Sequence, residues 1–282
     1  MKYNKFFLLA VILFVVSALS AQDIISAKDL AKIIKNKDVV VVCTSSKKGY
    51  KVHIPGSVNI PQISLANTEP FHNVIKPADE MAAILGAKGV SANKTIVLYD
   101  EGSGKYAGRM YWILKYLGAP DVKVLDGNMK AWKAARKPIT GAPTKVKATT
   151  FTPNVDAAQL ASMADVKSAI GNPSFVLVDV RPPADFNGTA TTKLRKGHIP
   201  GAINIEFTNV MDSKGLLKSN EQLKSLFVSK GVKPDKKIIL YCESSVRAGI
   251  VYLALKGLNY PNVKVYDGAY IEWQATESNK VE

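Results

Sequence analysis

Cysteine is scarce in this chain: its 282 residues hold two, Cys43 and Cys242. Each closes an apolar, strand-like run in a different half of the sequence, which argues against a disulfide, because a bridge needs its two Cα atoms within about 7 Å. Both are read as free thiols, with Cys43 buried and inert. Histidine is scarce too: three residues and two dispersed thiols give no metal-ligand spacing. Neither a metal nor any other cofactor is expected. Basic runs interleaved with aromatics are also missing, so the net charge of +15 reads as a solvated surface that attracts small anions and not as a nucleic-acid footprint. Beyond the N-terminus, no segment is long and apolar enough to cross a bilayer.

The N-terminus is the exception. Lys2 and Lys5 precede an apolar run from Phe6 to Val16, and the small residues Ser17, Ala18, Ser20 and Ala21 follow. That is the order of a secretory signal, with cleavage after Ser20 or Ala21. Residues 1–21 are therefore expected to be a signal peptide, the protein secreted or periplasmic, and the mature chain free of the membrane. A reactive free thiol in an oxidising compartment then needs a chemical purpose.

The remainder is written twice. His53-Ile54-Pro55-Gly56-Ser57-Val58-Asn59-Ile60 recurs as His198-Ile199-Pro200-Gly201-Ala202-Ile203-Asn204-Ile205. Leu117 to Gly127 recurs as Leu258 to Gly268, and Trp132 matches Trp273. Blocks in the same order at this spacing mark a duplicated domain, too large for a solenoid repeat. Short apolar strands alternate with helical patterns in each copy, which predicts an α/β fold with a mostly parallel sheet flanked by helices on both faces. Copy 1 spans 22–140 and copy 2 spans 161–282, joined by a polar, Pro/Gly/Thr-rich linker at 141–160.

The copies differ at one decisive position. In copy 2, the run Ile238-Ile239-Leu240-Tyr241 ends at Cys242, and the loop Glu243-Ser244-Ser245-Val246-Arg247 leads into a helical pattern starting at Ala248. A helix N-terminus presents unpaired N–H groups and a partial positive charge, both of which favour the nucleophilic thiolate. Arg247 adds a permanent cation. Copy 1 has Asp100 at the cysteine position, Tyr106 opposite Arg247, and a loop one residue longer. Copy 1 therefore reads as a catalytically silent support.

Asp179-Val180-Arg181, Gly197-His198-Ile199-Pro200-Gly201-Ala202, the Cys242 loop, and Asp267-Gly268 before Trp273 occur in one order across the mature chain. In these residues the chain resembles the rhodanese sulfurtransferase family in its two-domain form. The resemblance implies a first domain that has lost its cysteine, and a persulfide carried by Cys242 during transfer of sulfur from a small anionic donor, thiosulfate or 3-mercaptopyruvate, to a thiol or cyanide-like acceptor. Loop N–H groups and the hydroxyls of Ser244 and Ser245 would hold the charged sulfur. Arg247 is the candidate anchor for the donor's anionic group. Asp179 and Arg181 are read as a supporting pair, and His198 as scaffold, since its twin His53 persists where the thiol is absent.

Two other readings are open at this stage. A non-catalytic sulfur- or protein-binding module fits the fold, although copy 2 keeps its thiol and arginine. A Cys-based phosphatase uses five residues between Cys and Arg, whereas four separate Cys242 from Arg247. Two departures bear on the donor. Glu243 follows the cysteine where thiosulfate-using relatives often carry basic residues, so thiosulfate activity is expected to be weak. Asp185 stands where relatives often place an arginine, and Arg195 is the candidate substitute.

Overall fold

The computed structural model describes residues 23–282; the expected signal peptide lies outside them. Copy 1 runs β1 (Ile24–Ile25), α1 (Ala27–Ile33), β2 (Val39–Cys43), β3 (Val58–Asn59), α2 (Ala78–Ala87), β4 (Thr95–Tyr99), α3 (Lys105–Tyr116), β5 (Val122–Leu125) and α4 (Asn128–Ala134). Copy 2 continues with β6 (Leu160–Ala161), α5 (Met163–Ala169), β7 (Phe175–Asp179), α6 (Pro183–Phe186), β8 (Ile203–Asn204), α7 (Asn220–Ser229), β9 (Lys237–Tyr241), α8 (Ala248–Gly257), β10 (Val263–Tyr266) and α9 (Ala269–Ala275).

Each copy forms a five-stranded, parallel sheet, ordered β1-β5-β4-β2-β3 and β6-β10-β9-β7-β8. The central strands β4 and β9 are apolar because helices cover both faces of the sheet. Side chains pack into a separate cluster on the outer face of each sheet, with Trp132 in one and Trp273 in the other. The inner faces merge into one continuous core. Helices start where the sequence placed caps: Ser26 accepts from the Asp29 N–H, and Ser219 with Gln222 closes a full capping box. The linker follows copy 1 closely. Phe151 is buried, and the Thr149, Asn154 and Asp156 N–H groups bond to Gly86, Leu117 and Tyr116 carbonyls.

The copies meet through α3 and α8, which cross backbone to backbone. A Cβ on Gly108 would stand 2.5 Å from the Ile250 nitrogen, and one on Gly249 would stand 2.4 Å from the Arg109 nitrogen. Only glycine permits that approach. The contact has approximate two-fold character. Asp126 accepts from the Leu217 N–H at 2.9 Å, and its twin Asp267 accepts from the Ile75 N–H at 2.8 Å. Parallel strands put both Cys242 and Asp100 at carboxyl-terminal sheet edges, where α/β folds build their sites.

The repeated His-Ile-Pro-Gly segment is a brace for the central strand. In copy 2, His198 stacks on Phe186 with ring centroids 3.7 Å apart and its Nδ1 lies 2.9 Å from the Phe186 carbonyl, while the Ile199 N–H donates to the Tyr241 hydroxyl. In copy 1, His53 stacks on Tyr50 and the Ile54 N–H donates to the Tyr99 hydroxyl. Neither histidine lines the cleft described below. It is the isoleucine after each histidine that ties down the tyrosine preceding Cys242 or Asp100.

Candidate active site at the Cys242 loop

Cys242 follows β9 directly and is 1 % exposed. Its carbonyl accepts from the Tyr270 N–H, and that of Glu243 accepts from the Ile271 N–H, so the first turn of α9 fixes the start of the loop. Tyr270 is in turn held by the supporting pair. Arg181 clasps Asp179 through Nε and Nη2, donates to the Gly197 carbonyl at 2.7 Å, and lies 3.9 Å over the Tyr270 ring. Asp179 and Arg181 thus join the end of β7 to the Gly197 segment and to the Tyr270 ring.

The rest of the loop floors a cleft between the copies of about 720 Å³. Copy 2 lines it with Glu243, Ser244, Val246, Arg247 and Phe207. Copy 1 supplies more of the wall, including Thr44, Lys47, Gln62, His72, Lys105 and Tyr106. Copy 1 thus contributes side chains to the cleft as well as packing against copy 2. Ser244 accepts a hydrogen bond from Asn73 Nδ2 at 3.0 Å, and Asn73 Oδ1 lies 3.5 Å from Gln62 Nε2. Ser245 is fully buried with φ +63° and accepts from Arg109 Nη1 at 2.8 Å. Arg109 also donates to the Asn73 carbonyl and to Asp267, both at 2.6 Å. Removing one partner of such a buried ion pair costs about 3–5 kcal/mol.

Arg247 lines the cleft, but its charge is shared. Nη2 pairs with Glu243 at 3.0 Å and Nη1 stands 4.0 Å from Asp185. A phosphate cradle needs an arginine turned to its oxyanions, so this pairing adds to the short spacing against a phosphatase. Lys47 and Lys105 have no ion-pair partner among the described residues. Arg195 is not brought to the site. Its guanidinium donates to the Asn279 carbonyl and its own carbonyl accepts from the Tyr270 hydroxyl. The segment before Gly197 folds back on the C-terminal tail, which uses up that arginine.

Cys43 ends β2 and pairs in register with Tyr99. Burial pushes its thiol up from the ordinary value, which suppresses the thiolate. Both thiols are unpaired. Burial likewise raises the Tyr241 phenol well above its usual range, so it stays neutral beneath the loop.

Copy 1 shows what the loop's backbone is built to hold. Asp100 is fully buried, and its carboxylate accepts from the N–H groups of Gly102, Gly104, Tyr106 and Ala107 and from the Ser103 hydroxyl. The loop is a preformed anion cradle, filled by its own side chain.

Sequence reasoning missed Arg109, Asn73 and the cationic wall of copy 1. One signal was present. Arg109 interrupts the apolar run Ala107 to Leu114, and the duplication sets it opposite Ile250. A charge in a wholly buried helix face demands a partner.

The rhodanese-like domain model matches residues 26–135 and again 162–276. The chain belongs to the rhodanese-like family. It is 33% identical over 82% of its length, and 83% of the relative's, to the 3-mercaptopyruvate sulfurtransferase of Escherichia coli (strain K12). It is 28% identical to the thiosulfate sulfurtransferase of Azotobacter vinelandii, covering 89% of this chain and 93% of that one. A crystal structure of a 3-mercaptopyruvate sulfotransferase from Escherichia coli superposes with a TM-score of 0.82 at 30% identity, covering 88% of this chain and 99% of the other. Both tandem rhodanese-like domains and their parallel sheets agree with the fold read from the sequence. Among the described residues, no group of three or more His, Cys, Asp or Glu side chains is arranged to hold a metal, and no helix is long and apolar enough to cross a membrane.

Proposed function

We propose that this protein is a sulfurtransferase that carries a sulfane sulfur as a persulfide on Cys242. The observation that carries the reading is the cradle around Asp100. Its carboxylate oxygens lie two bonds beyond Cβ, and so does the outer sulfur of a cysteine persulfide. Copy 1 thus holds, in its own side chain, an anion of the reach and charge that a persulfide would have in copy 2. The Cys242 thiolate attacks the outer sulfur of a donor, and the donor's bond to that sulfur breaks. With thiosulfate the leaving group is sulfite, which departs with the electron pair. With 3-mercaptopyruvate it is the pyruvate enolate, which then takes a proton. A thiolate or cyanide acceptor next attacks the outer sulfur and releases the Cys242 thiolate.

The donor is anionic, and the cations free to meet it in the cleft are Lys47 and Lys105 of copy 1. Arg247 is discounted because Glu243 and Asp185 already share its charge. Glu243 at the cleft floor repels a dianion more than a monoanion, so 3-mercaptopyruvate is the preferred donor over thiosulfate. We also propose export from the cytoplasm, on the strength of the N-terminal signal pattern alone; the mass of the mature protein purified from its native host tests it.

A side-by-side assay with both donors, using cyanide or a dithiol as acceptor, tests the activity. Turnover with 3-mercaptopyruvate above that with thiosulfate is expected. Turnover with neither donor, from fully reduced protein, would contradict the reading and favour a non-catalytic module.

A further inference from the structure

We propose that Arg109, a residue of the copy that lacks the cysteine, is a positioning residue that fixes the Cys242 loop from outside. The inference rests on the sulfur-transfer reading and extends it to the role of copy 1.

The two loops are ordered by different means. In copy 1, five donors close on the Asp100 carboxylate, and the loop carries its own organising anion. The free thiol of Cys242 stops one atom short of that reach, so the resting loop in copy 2 has no such internal anchor. Its two serines are tied instead to copy 1: Ser244 to the Asn73 side chain and Ser245 to the Arg109 guanidinium. Arg109 also donates to the Asn73 carbonyl, so one guanidinium governs both tethers. Ser245 sits at φ +63°, a conformation that non-glycine residues hold when surrounding groups fix it.

The arrangement is specific to one half of the molecule. The two-fold relation repeats the Asp126 and Asp267 contacts, yet only Asp267 receives a guanidinium, and Ile250 occupies the place equivalent to Arg109. Simple packing of α3 against α8 needs no charge there, as Ile250 shows. Arg109 is completely buried, and its Nε has no hydrogen-bond partner. A buried ion pair is weak evidence for added stability, and in some systems such a pair fixes one conformation. The conformation in question is that of the loop whose N–H groups must meet the outer sulfur.

The test reads Cys242 reactivity separately from turnover. Arg109→Gln, Arg109→Lys and Ser245→Gly are compared with the wild type in the full-length protein, with folding checked by thermal unfolding. Ser245→Gly tolerates the positive φ and removes the hydroxyl together with its Cβ. The rate of Cys242 alkylation by iodoacetamide is followed against pH by mass spectrometry, and kcat and KM are measured with 3-mercaptopyruvate. Arg109→Gln is expected to move the alkylation profile to higher pH and to lower kcat at least about tenfold, with a smaller change in KM. Arg109→Lys should recover part of the loss, since an ammonium satisfies some but not all of the three acceptors. Ser245→Gly should shift both readouts in the same direction by less. Wild-type alkylation profiles and kcat in folded Arg109→Gln and Ser245→Gly would overturn the proposal, and if Arg109→Gln does not fold, Ser245→Gly alone decides. Should the wild type move sulfur from neither donor, the activity reading fails, while the alkylation profiles still judge Arg109.

Discussion

In copy 1 the loop after β4 closes on the Asp100 carboxylate; in copy 2 the loop after β9 begins with a thiol and is held by Asn73 and Arg109 of the other copy. The same strand, turn and helix serve both. On the proposed sulfur-transfer function, duplication here divided the labour. One copy filled its anion cradle permanently and thereby stabilised itself. On the proposed function the other holds a transient anion, and its loop is ordered partly by α9 of its own copy and partly by its neighbour.

The comparison breaks most completely at the thiols. Cys242→Ser should abolish sulfur transfer, because a neutral hydroxyl cannot replace a thiolate nucleophile. Cys43→Ser should retain most of it, since burial holds that thiol protonated on a neighbouring strand. Steady-state rates of the two variants check this, and equal losses would remove the distinction between the copies.

The shared interface comes next. Gly249→Ala puts a methyl group 2.4 Å from the Arg109 nitrogen and the Gly108 carbonyl. It should destabilise the protein by about 1–3 kcal/mol or more, read as a lower denaturant midpoint, and should reduce kcat because the crossing carries Arg109.

A smaller effect is expected from emptying the filled cradle. Asp100→Ala leaves buried N–H donors without their acceptor, at a cost of about 1–3 kcal/mol. KM for the anionic donor should rise, since Lys105 and Tyr106 at the cleft hang from that loop, while the Cys242 alkylation rate stays unchanged. An altered alkylation rate would mean that the two loops are coupled more tightly than their contacts indicate.

The mildest change is Glu243→Gln, which releases Arg247 from its partner at 3.0 Å. The pair is partly exposed, so the gain in kcat/KM for thiosulfate should be roughly two- to fivefold, shrinking as salt is added. A loss would show that Glu243 orients Arg247 for the donor.

Much of this architecture was legible in the sequence because it rests on local patterns. Valine-rich β2, the Ser219–Gln222 capping box and the apolar run into Cys242 specify their elements within a few residues. The duplication made Asp100 and Cys242 comparable before any geometry was known. The tethers were hidden because they join residues far apart in sequence: Asn73 and Ser244 are separated by 171 positions, Arg109 and Ser245 by 136. Spacing within one copy carries no trace of them. Arg195 illustrates the converse. Its position upstream of Gly197-His198 suited an anion anchor, but the C-terminal tail competes for it, and Asn279 wins the hydrogen bond.

The central claim is that Cys242 carries sulfur in the cradle whose filled form is seen around Asp100. Mass spectrometry of the reduced, full-length protein after incubation with 3-mercaptopyruvate, without acceptor, tests it most directly. A single added sulfur on the peptide containing Cys242, removed by cyanide and absent from Cys43, is the expected result. An unmodified Cys242 peptide with both 3-mercaptopyruvate and thiosulfate would contradict it.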